Sequence, residues 1–287
     1  MDYNLATMEG YHESVLLREA IDALNIRDAW YLDCTLGDGG HSIEIIRRGG
    51  KVVGLDVDPQ ALARVQKRFK DEEIKEGKFK LILGNFRDIK NLIKTETKFE
   101  GVLFDLGVSS LQLETPERGF SFGKEGPLDM RMDPQLSVTA ADLVNGLNSG
   151  ELFELFTKLG EEKFAKKIAE EIINFRSKKP ITSTLELAHI AEKVKGKFSK
   201  IHPATKIFQA LRIAINDERN CLKEALPQAL ELLDNKGIII VISFHSLEDR
   251  IVKHFFKSKN LIIPSTPEIN INPRSRSAKM RVYKKYD

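Results

Sequence analysis

The sequence predicts an α/β fold in which a mostly parallel, doubly wound sheet is interrupted by a helical insertion. Two observations support this prediction. Short apolar runs alternate with helical patterns over the first 106 residues, and a further apolar run of the same kind appears near residue 240. Such alternation indicates parallel strands that are joined by crossover helices.

Composition limits the class of protein before any motif is considered. The 287 residues are 41% hydrophobic and 30% charged, with a net charge of +3. No apolar stretch approaches the ~20 residues of a membrane helix, and the polar N-terminus MDYNLATMEGYHES lacks the pattern of a signal peptide. We therefore expect a soluble, cytoplasmic protein with no membrane partner.

The strands can be assigned in chain order. The strand candidates are WYLDCT, KVVGLDV, FKLILG, GVLFDL and KGIIIVISF, followed by LIIPS and KMRVYKKY near the C-terminus. An antiparallel edge strand is expected in the sheet. After the second strand, Asp58 supplies a helix N-cap and Pro59 a first-turn proline, so a helix should follow directly.

The character of the sequence changes between residues 109 and 201. The segment ERGFSFGKEGPLDMRMDP has no clear periodicity and is expected to form an ordered loop. Asn148 with Glu151, and Ser183 with Glu186, resemble capping boxes in front of amphipathic helices. These features predict a helical insertion.

The domain organisation follows from these assignments. Residues 1–108 and 202–287 are expected to form the sheet domain, and residues 109–201 the insertion. From His202 a long helical pattern leads back to the fifth strand, and a kink or an interruption is expected near Pro227.

The stretch YLDCTLGDGGHS, residues 31–42, joins the first strand to the helix that follows it. Its glycines allow a tight turn and the close approach of a ligand. Asp56 ends the second strand, 23 residues after Asp33. Nucleotide-binding sheets place a carboxylate for the ribose hydroxyls at this position. The pattern therefore predicts a ribose-containing cofactor at the carboxyl edge of the sheet.

The order G-D-G-G-H favours one such cofactor over the others. A dinucleotide needs G-x-G-x-x-G so that its pyrophosphate can lie on the helix N-terminus, and Asp38 would place a negative charge there. S-adenosylmethionine has no phosphate and carries a sulfonium and an ammonium group, so we predict this cofactor. The alternatives are a nicotinamide or flavin nucleotide in an oxidoreductase and a purely structural glycine turn.

A second site is predicted where the fourth strand, GVLFDL, ends at Asp105. An exocyclic amine is a weak nucleophile because its lone pair is delocalised into the ring. A carboxylate can orient the amine and help its proton to leave, so Asp105 is the candidate catalytic residue. The alternatives are a helix cap or a cofactor ligand. Methylation of a pyrimidine carbon would require a cysteine nucleophile, and neither Cys34 nor Cys221 is placed for that role.

Several stretches together resemble one family, that of ribosomal RNA small subunit methyltransferase H, also called MraW. They include DCTLGDGGHS, DLGVSS, HPATKIFQALRIAINDE and ISFHSLEDRIVK, and the resemblance runs from His12 to Arg281. It implies a class I (Rossmann-like) methyltransferase with a helical substrate-recognition insertion. It also implies N4-methylation of a cytidine in the decoding region of bacterial 16S ribosomal RNA. The implied partner is the small ribosomal subunit, and neither a metal nor DNA is expected to bind. The oligomeric state stays open, and a homodimer is one option.

The resemblance also implies the cofactor contacts. They are Gly39, Gly40, His41, Asp56, Phe86, Asp105 and Gln112. The ring of Phe86 could pack on the adenine, and the alternative is a core phenylalanine. The sequence departs from other patterns at two places: many amino methyltransferases have D/N-P-P-Y in place of DLGVSS, and some relatives have a tryptophan at the position of Leu143.

The long loop and the end of the fifth strand provide the candidate RNA contacts. They are Arg118, Phe120, Phe122, Lys124, Arg131 and His245. Mixed cations and aromatic rings bind single-stranded RNA through phosphate pairing and base stacking. The alternatives are an internally packed loop whose arginines pair with nearby acids, and a histidine that caps a helix. A non-catalytic RNA-binding protein is the rival function.

Overall fold

The computed structural model describes most of the chain, namely residues 11, 13–94, 98–196, 201–257 and 260–286. His12, where the family resemblance begins, lies outside the described residues. Contacts divide the chain into two units. The first unit comprises Met1–Gly107 and Arg219–Asp287, and the second comprises Val108–Glu218. None of the described helices is both long and apolar enough to cross a membrane.

The first unit contains one six-stranded sheet. Its strands are β1 (Trp30–Asp33), β2 (Lys51–Asp56), β3 (Phe79–Leu83), β4 (Phe99–Asp105), β5 (Leu233–Ser243) and β6 (Lys279–Lys284). Their order is β3-β2-β1-β4-β5-β6, and only β6 is antiparallel to its neighbour. The predicted sheet with an antiparallel edge strand is therefore confirmed. The segment LIIPS contributes only an isolated bridge between Ile262 and Met280.

The described residues form thirteen α-helices, divided between the two units. In chain order they are α1 (Leu17–Leu24), α2 (Gly40–Arg47), α3 (Pro59–Asp71), α4 (Ile89–Leu92), α5 (Ser110–Glu114), α6 (Ala140–Gly146), α7 (Ser149–Gly160), α8 (Ala165–Arg176), α9 (Thr184–Lys195), α10 (Thr205–Asn216), α11 (Glu218–Leu232), α12 (Ser246–Phe256) and α13 (Thr266–Ile271).

Both faces of the sheet are buried, because successive side chains of a strand point to opposite faces. In β1, Tyr31 belongs to one hydrophobic cluster and Leu32 to another. In β4, Leu103 and Phe104 divide in the same way. This two-sided core explains why the strand sequences are nearly continuous apolar runs.

The second unit has a hydrophobic core of its own, formed by helices α6 to α10 and the long loop. Both predicted capping boxes are present: Asn148 with Glu151 begins α7, and Ser183 with Glu186 begins α9. These side chains satisfy backbone N–H groups that the first turn of a helix leaves free.

One unit boundary differs from the predicted one, and the helix that contains Pro227 is not interrupted there. The insertion extends beyond residue 201 because α10 buries Ile207 and Leu211 in the core of the second unit. The break in the following helical stretch lies at Asp217, which is left-handed with φ 48°, whereas Pro227 lies inside α11. A short polar side chain tolerates the left-handed region better than most, so aspartate is a suitable residue for this break.

Candidate cofactor site and substrate loop

The glycine loop lies between β1 and α2, and its glycines are required for two different reasons. Gly37 and Gly39 have positive φ values of 52° and 74°, which side chains rarely allow. At Gly40 a Cβ atom would lie only 2.2 Å from Oγ of Ser14. A side chain at Gly40 would therefore first displace the hydroxyl of Ser14, in the protein's own N-terminal segment, whereas the sequence had suggested a ligand.

Three parallel strands end in carboxylates at the same edge of the sheet, Asp33 on β1, Asp56 on β2 and Asp105 on β4. The buried carboxylate of Asp33 accepts hydrogen bonds from the Ser42 hydroxyl at 2.7 Å and the Thr35 N–H at 3.2 Å. Asp33 therefore ties the loop to the first turn of α2. This edge is where ligands bind in open α/β sheets.

Asp56 holds the other side of the loop. Its two carboxylate oxygens accept the N–H groups of Gly37 at 2.8 Å and Asp58 at 2.9 Å. Asp58 itself caps α3 by accepting the N–H of Gln60 at 3.0 Å, as predicted. Because a carboxylate has about four acceptor positions, Asp56 can still accept further hydrogen bonds.

Burial makes this edge of the sheet costly for negative charge. It raises the pKa of Asp33 and that of Asp56, each to about 6, and the hydrogen bonds to each carboxylate oppose the effect only partly. The pKa of Asp105 is raised well above its usual value, first by burial and then by the charges of Asp33 and Glu248. A cationic ligand would favour the ionised carboxylates at this edge.

Asp105 also has an unsatisfied acceptor. Its N–H donates to Oγ1 of Thr35 at 2.6 Å, which fixes the end of β4. Although 23% of its side chain is exposed, Oδ1 is enclosed and has no hydrogen-bond partner among the described residues. Oδ2 lies 3.7 Å from Nδ1 of His41. Burial lowers the pKa of His41 to about 4, so this imidazole is neutral at neutral pH.

The side chain and the backbone carbonyl of Asp38 both have cationic partners within the protein. Oδ1 of Asp38 pairs with Nε of Arg64 at 2.7 Å, and Arg68 donates to the Asp38 carbonyl at 2.7 Å. Both guanidinium groups also lie over the ring of Tyr11, 4.8 Å and 4.5 Å from its centroid. The Asp38 charge is thus neutralised, and the acidic character of the site comes from the strand-end carboxylates.

The remaining predicted cofactor contacts have other partners in the structure. Phe86 follows β3, is partly buried and packs edge-to-face on Phe104 with 5.7 Å between centroids. Gln112 lies in the second unit, where it is buried and its side chain accepts the Ser109 N–H at 3.1 Å to cap α5. Since Ser109 caps that helix, the helix-cap alternative for Asp105 is not needed.

His245 acts as a helix cap. Its Nδ1 accepts the N–H of Glu248 at 3.3 Å, and the Glu248 carboxylate accepts the His245 N–H at 3.3 Å. The two residues form a capping box at the start of α12. The capping alternative therefore describes His245 well, and an RNA contact by this residue stays a prediction.

The arginines of the long loop are engaged in bonds within the loop. Arg118 donates to the carbonyls of Arg131 and Met132 at 2.8 Å and 2.9 Å. Arg131 makes a two-pronged pair with Asp129, at 2.8 Å and 2.7 Å, and donates to the Leu136 carbonyl at 2.6 Å. These contacts match the internally packed alternative.

The other predicted RNA contacts of the loop differ in exposure. Phe120 is buried at 6% exposure and Phe122 is partly buried, whereas Lys124 is exposed and donates to the Glu114 carbonyl at 3.1 Å. Of this set, Lys124 is the cation that best fits a phosphate contact. The RNA contacts of the loop stay predictions.

Comparison with known proteins decides the family. The model of the MraW methylase family matches residues 9–286, nearly the whole chain. The chain belongs to the MraW methylase family. The assignment confirms the resemblance read from the motifs, shows that the protein is a methyltransferase, and supports S-adenosylmethionine as its methyl donor. The oxidoreductase alternative is thereby removed.

Curated relatives agree with this assignment, and a solved structure shares the fold. Proteins named ribosomal RNA small subunit methyltransferase H, from Sulfurihydrogenibium azorense and Carboxydothermus hydrogenoformans, are 45% and 44% identical to the chain. The matches cover 94% and 97% of this chain and 98% and 99% of those proteins. The crystal structure of NSun6 from Pyrococcus horikoshii with SFG is 12% identical at a TM-score of 0.50, covering 96% of this chain and 53% of that chain. This structural likeness shows the fold.

Asn216 of this MraW family member holds the long loop, a role that the sequence analysis did not predict. Its side chain accepts the Met132 N–H at 2.7 Å and donates to the Met130 carbonyl at 2.8 Å. Met130 is held in a left-handed conformation with φ 64°. The only signal in the sequence was its place in the stretch HPATKIFQALRIAINDE.

Proposed function

We propose that this MraW family member transfers a methyl group from S-adenosylmethionine to N4 of a cytidine in the decoding region of 16S ribosomal RNA. The observation that carries the proposal is the enclosed, unpartnered Oδ1 of Asp105 at the carboxyl edge of the sheet. The names of the curated relatives support ribosomal RNA of the small subunit as the substrate. We place the reaction in the cytoplasm, on the small subunit or a precursor of it.

The residues at the sheet edge suit the cofactor, which supplies a methyl group activated by a positively charged sulfur. Asp56 has acceptor capacity left for ribose hydroxyls after its two backbone hydrogen bonds. The partly exposed ring of Phe86 offers a surface for the adenine. Gly39, Gly40 and His41 form the start of α2 beside these groups. Gln112 is kept as a predicted contact.

Asp105 has the properties that the acceptor amine requires. Its Oδ1 can accept one N–H of the cytosine amine and so direct the nitrogen lone pair away from the ring. The same carboxylate can take the proton that the amine loses when the new N–C bond forms. Because the pKa of Asp105 is raised, its protonated form is not strongly disfavoured in this environment.

We further propose that the target cytidine leaves its stack and that the long loop of the second unit contacts the RNA. A cytidine in structured RNA has to leave its stack before an enzyme can reach its N4 atom. Lys124 is exposed and suited to phosphate contact, while the hydrogen bonds of Arg118 and Arg131 keep the loop in shape. We expect loop variants to change the affinity for RNA more than the affinity for the cofactor.

The decisive experiment uses small ribosomal subunits that lack the modification. The protein is incubated with them and with labelled S-adenosylmethionine, and the digested RNA is analysed by mass spectrometry. We expect N4-methylcytidine at one position of the decoding region. Cofactor binding without any incorporation into subunits or naked RNA would favour the non-catalytic RNA-binding alternative.

A matched pair of variants tests the role of Asp105. Asp105→Ala should abolish turnover while cofactor binding stays measurable by calorimetry, and Asp105→Asn separates the negative charge from the shape of the side chain. Near-normal turnover of Asp105→Ala would remove this residue from the mechanism.

A further inference from the structure

Three aromatic rings of the second unit lead from its core towards the surface. Phe208 is buried at 5% exposure and meets Phe122 edge-to-face, with 5.4 Å between centroids and an interplanar angle of 83°. Phe122 in turn stacks on the imidazole of His202, with 4.4 Å between centroids and an angle of 13°. One face of the Phe122 ring is therefore covered by His202.

The imidazole of His202 is held by both of its nitrogens. Nδ1 accepts the N–H of Ala204 at 3.2 Å, so Nε2 carries the hydrogen in the neutral ring and lies 3.1 Å from Oε1 of Glu192. The side chain is 35% exposed. Phe122 covers one face and both nitrogens have partners, so we assign the exposed part of the side chain to the opposite face and the carbon edge.

We propose that the exposed face of His202 stacks on a base of the single-stranded RNA substrate. This inference rests on the proposed function, since it assumes that the substrate is RNA. Histidine is one of the rings on which unstacked RNA bases stack, and base stacking contributes about 1–3 kcal/mol per base. In this arrangement Phe122, predicted from the sequence as a base contact, supports His202 from behind.

The surroundings of His202 favour stacking over phosphate pairing. The carboxylate of Glu192 lies between His202 and His189, whose Nδ1 is 3.9 Å from Oε2 of Glu192. Among the residues that the structure describes, Lys195 is a cation near His202, and it is tied to Glu162 at 2.8 Å and to the Pro203 carbonyl at 2.9 Å. The ring is fixed before RNA arrives, so little side-chain freedom is lost on binding.

The test combines photocrosslinking with affinity measurements on the full chain. The probe is a single-stranded RNA covering the decoding region, with 5-iodouridine introduced at one position at a time. We expect an RNA adduct on His202 by mass spectrometry. His202→Ala should weaken RNA binding about tenfold, equivalent to about 1.4 kcal/mol, without changing the affinity for S-adenosylmethionine.

Two further variants separate stacking from hydrogen bonding. His202→Phe keeps a ring but loses both hydrogen bonds and should bind RNA within about threefold of the wild type, because stacking is the larger contribution. Glu192→Gln is the matched control, since it changes the hydrogen-bond partner and leaves the ring in place. Wild-type affinity in His202→Ala, or equal loss in the Ala and Phe variants at unchanged melting temperatures, would overturn the proposal.

The test of stacking on His202 can fail or succeed independently of the test of methyl transfer. Methyl transfer to subunits by the wild type is measured in parallel. If the wild type transfers no methyl group but crosslinks through His202, the proposed reaction fails and the stacking surface stands. If the wild type methylates cytidine and His202→Ala binds RNA normally, the stacking surface alone is refuted.

Discussion

Replacing Asp33 by asparagine should make the protein more stable and a poorer binder of its cofactor. Asp33 is 1% exposed and accepts hydrogen bonds from the Ser42 hydroxyl and the Thr35 N–H. An asparagine of the same shape can still accept the Thr35 N–H, and its amide can donate to the Ser42 oxygen. The charge is lost, and the buried Ser42 hydroxyl loses Oδ2 of Asp33 as the acceptor of its proton.

The magnitude follows from the pKa of Asp33, which burial raises from 3.8 to about 6. A difference of about two pH units corresponds to roughly 3 kcal/mol of unfolding free energy. Because the folded-state pKa is raised, the stability linked to protonation is present below about pH 4 and is lost as the pH rises through about 6. We therefore expect Asp33→Asn to gain about 1–3 kcal/mol near pH 7.5 and nothing near pH 4.

Urea unfolding at several pH values measures this effect directly. The unfolding free energy of the wild type should rise as the pH falls from about 7 to about 5. The variant should show a weaker rise, which does not vanish because Asp56 also has a pKa of about 6. Calorimetry should show weaker binding of S-adenosylmethionine by Asp33→Asn. A variant that is less stable than the wild type at pH 7.5 would refute the reasoning, because the ionised Asp33 would then be a net stabilising group.

Two further substitutions test close packing and a buried ion pair. Gly40→Ala should change the unfolding free energy by less than about 1 kcal/mol, because the atom nearest to its Cβ, Oγ of Ser14 at 2.2 Å, ends a short side chain that can rotate away; a larger loss in thermal unfolding that Ser14→Gly restores would show that the Ser14 hydroxyl is held in place. Lys195→Met should cost about 3–5 kcal/mol, since it leaves the carboxylate of Glu162, whose side chain is 2% exposed, without its 2.8 Å partner. Adding Glu162→Gln should recover most of that loss in urea unfolding, and a small effect of the single substitution would show that water reaches the carboxylate.

Features that depend on neighbouring residues could be predicted from the sequence. The helix caps at Asp58, Asn148 and Ser183 involve hydrogen bonds to backbone groups two or three residues away, so a short pattern contains all the necessary information. The strands could be predicted because both faces of the sheet are buried. The positions of Asp56 and Asp105 followed from the ends of their strands.

The partners of the same residues across the fold could not be predicted in this way. The sequence pattern presented Asp38 as a free charge beside the cofactor, but Arg64, 26 residues away in the chain, neutralises it. Asn216 bonds to Met130 across 86 residues, and no local pattern indicates that pair. The partners of the candidate RNA contacts were the hardest to predict. Arg131, for example, looks the same in a sequence whether it faces a phosphate or Asp129.

The acidic edge of the sheet also predicts how cofactor binding should depend on pH. With pKa values of Asp33 and Asp56 near 6 and that of Asp105 raised, the carboxyls at this edge are partly protonated at mildly acidic pH. A bound cation favours their ionised forms, so S-adenosylmethionine should release protons on binding and its affinity should rise between about pH 5 and pH 7.

S-adenosylhomocysteine provides the control for this dependence, because it keeps the ammonium group but has lost the sulfonium charge. It should therefore release fewer protons than S-adenosylmethionine. Calorimetry in buffers of different ionisation enthalpy counts the protons for both ligands. His41, with a pKa of about 4, is neutral across this range and does not blur the comparison. Equal proton release by the two ligands would mean that these carboxylates do not face the sulfonium, and the catalytic role proposed for Asp105 would lose its electrostatic support.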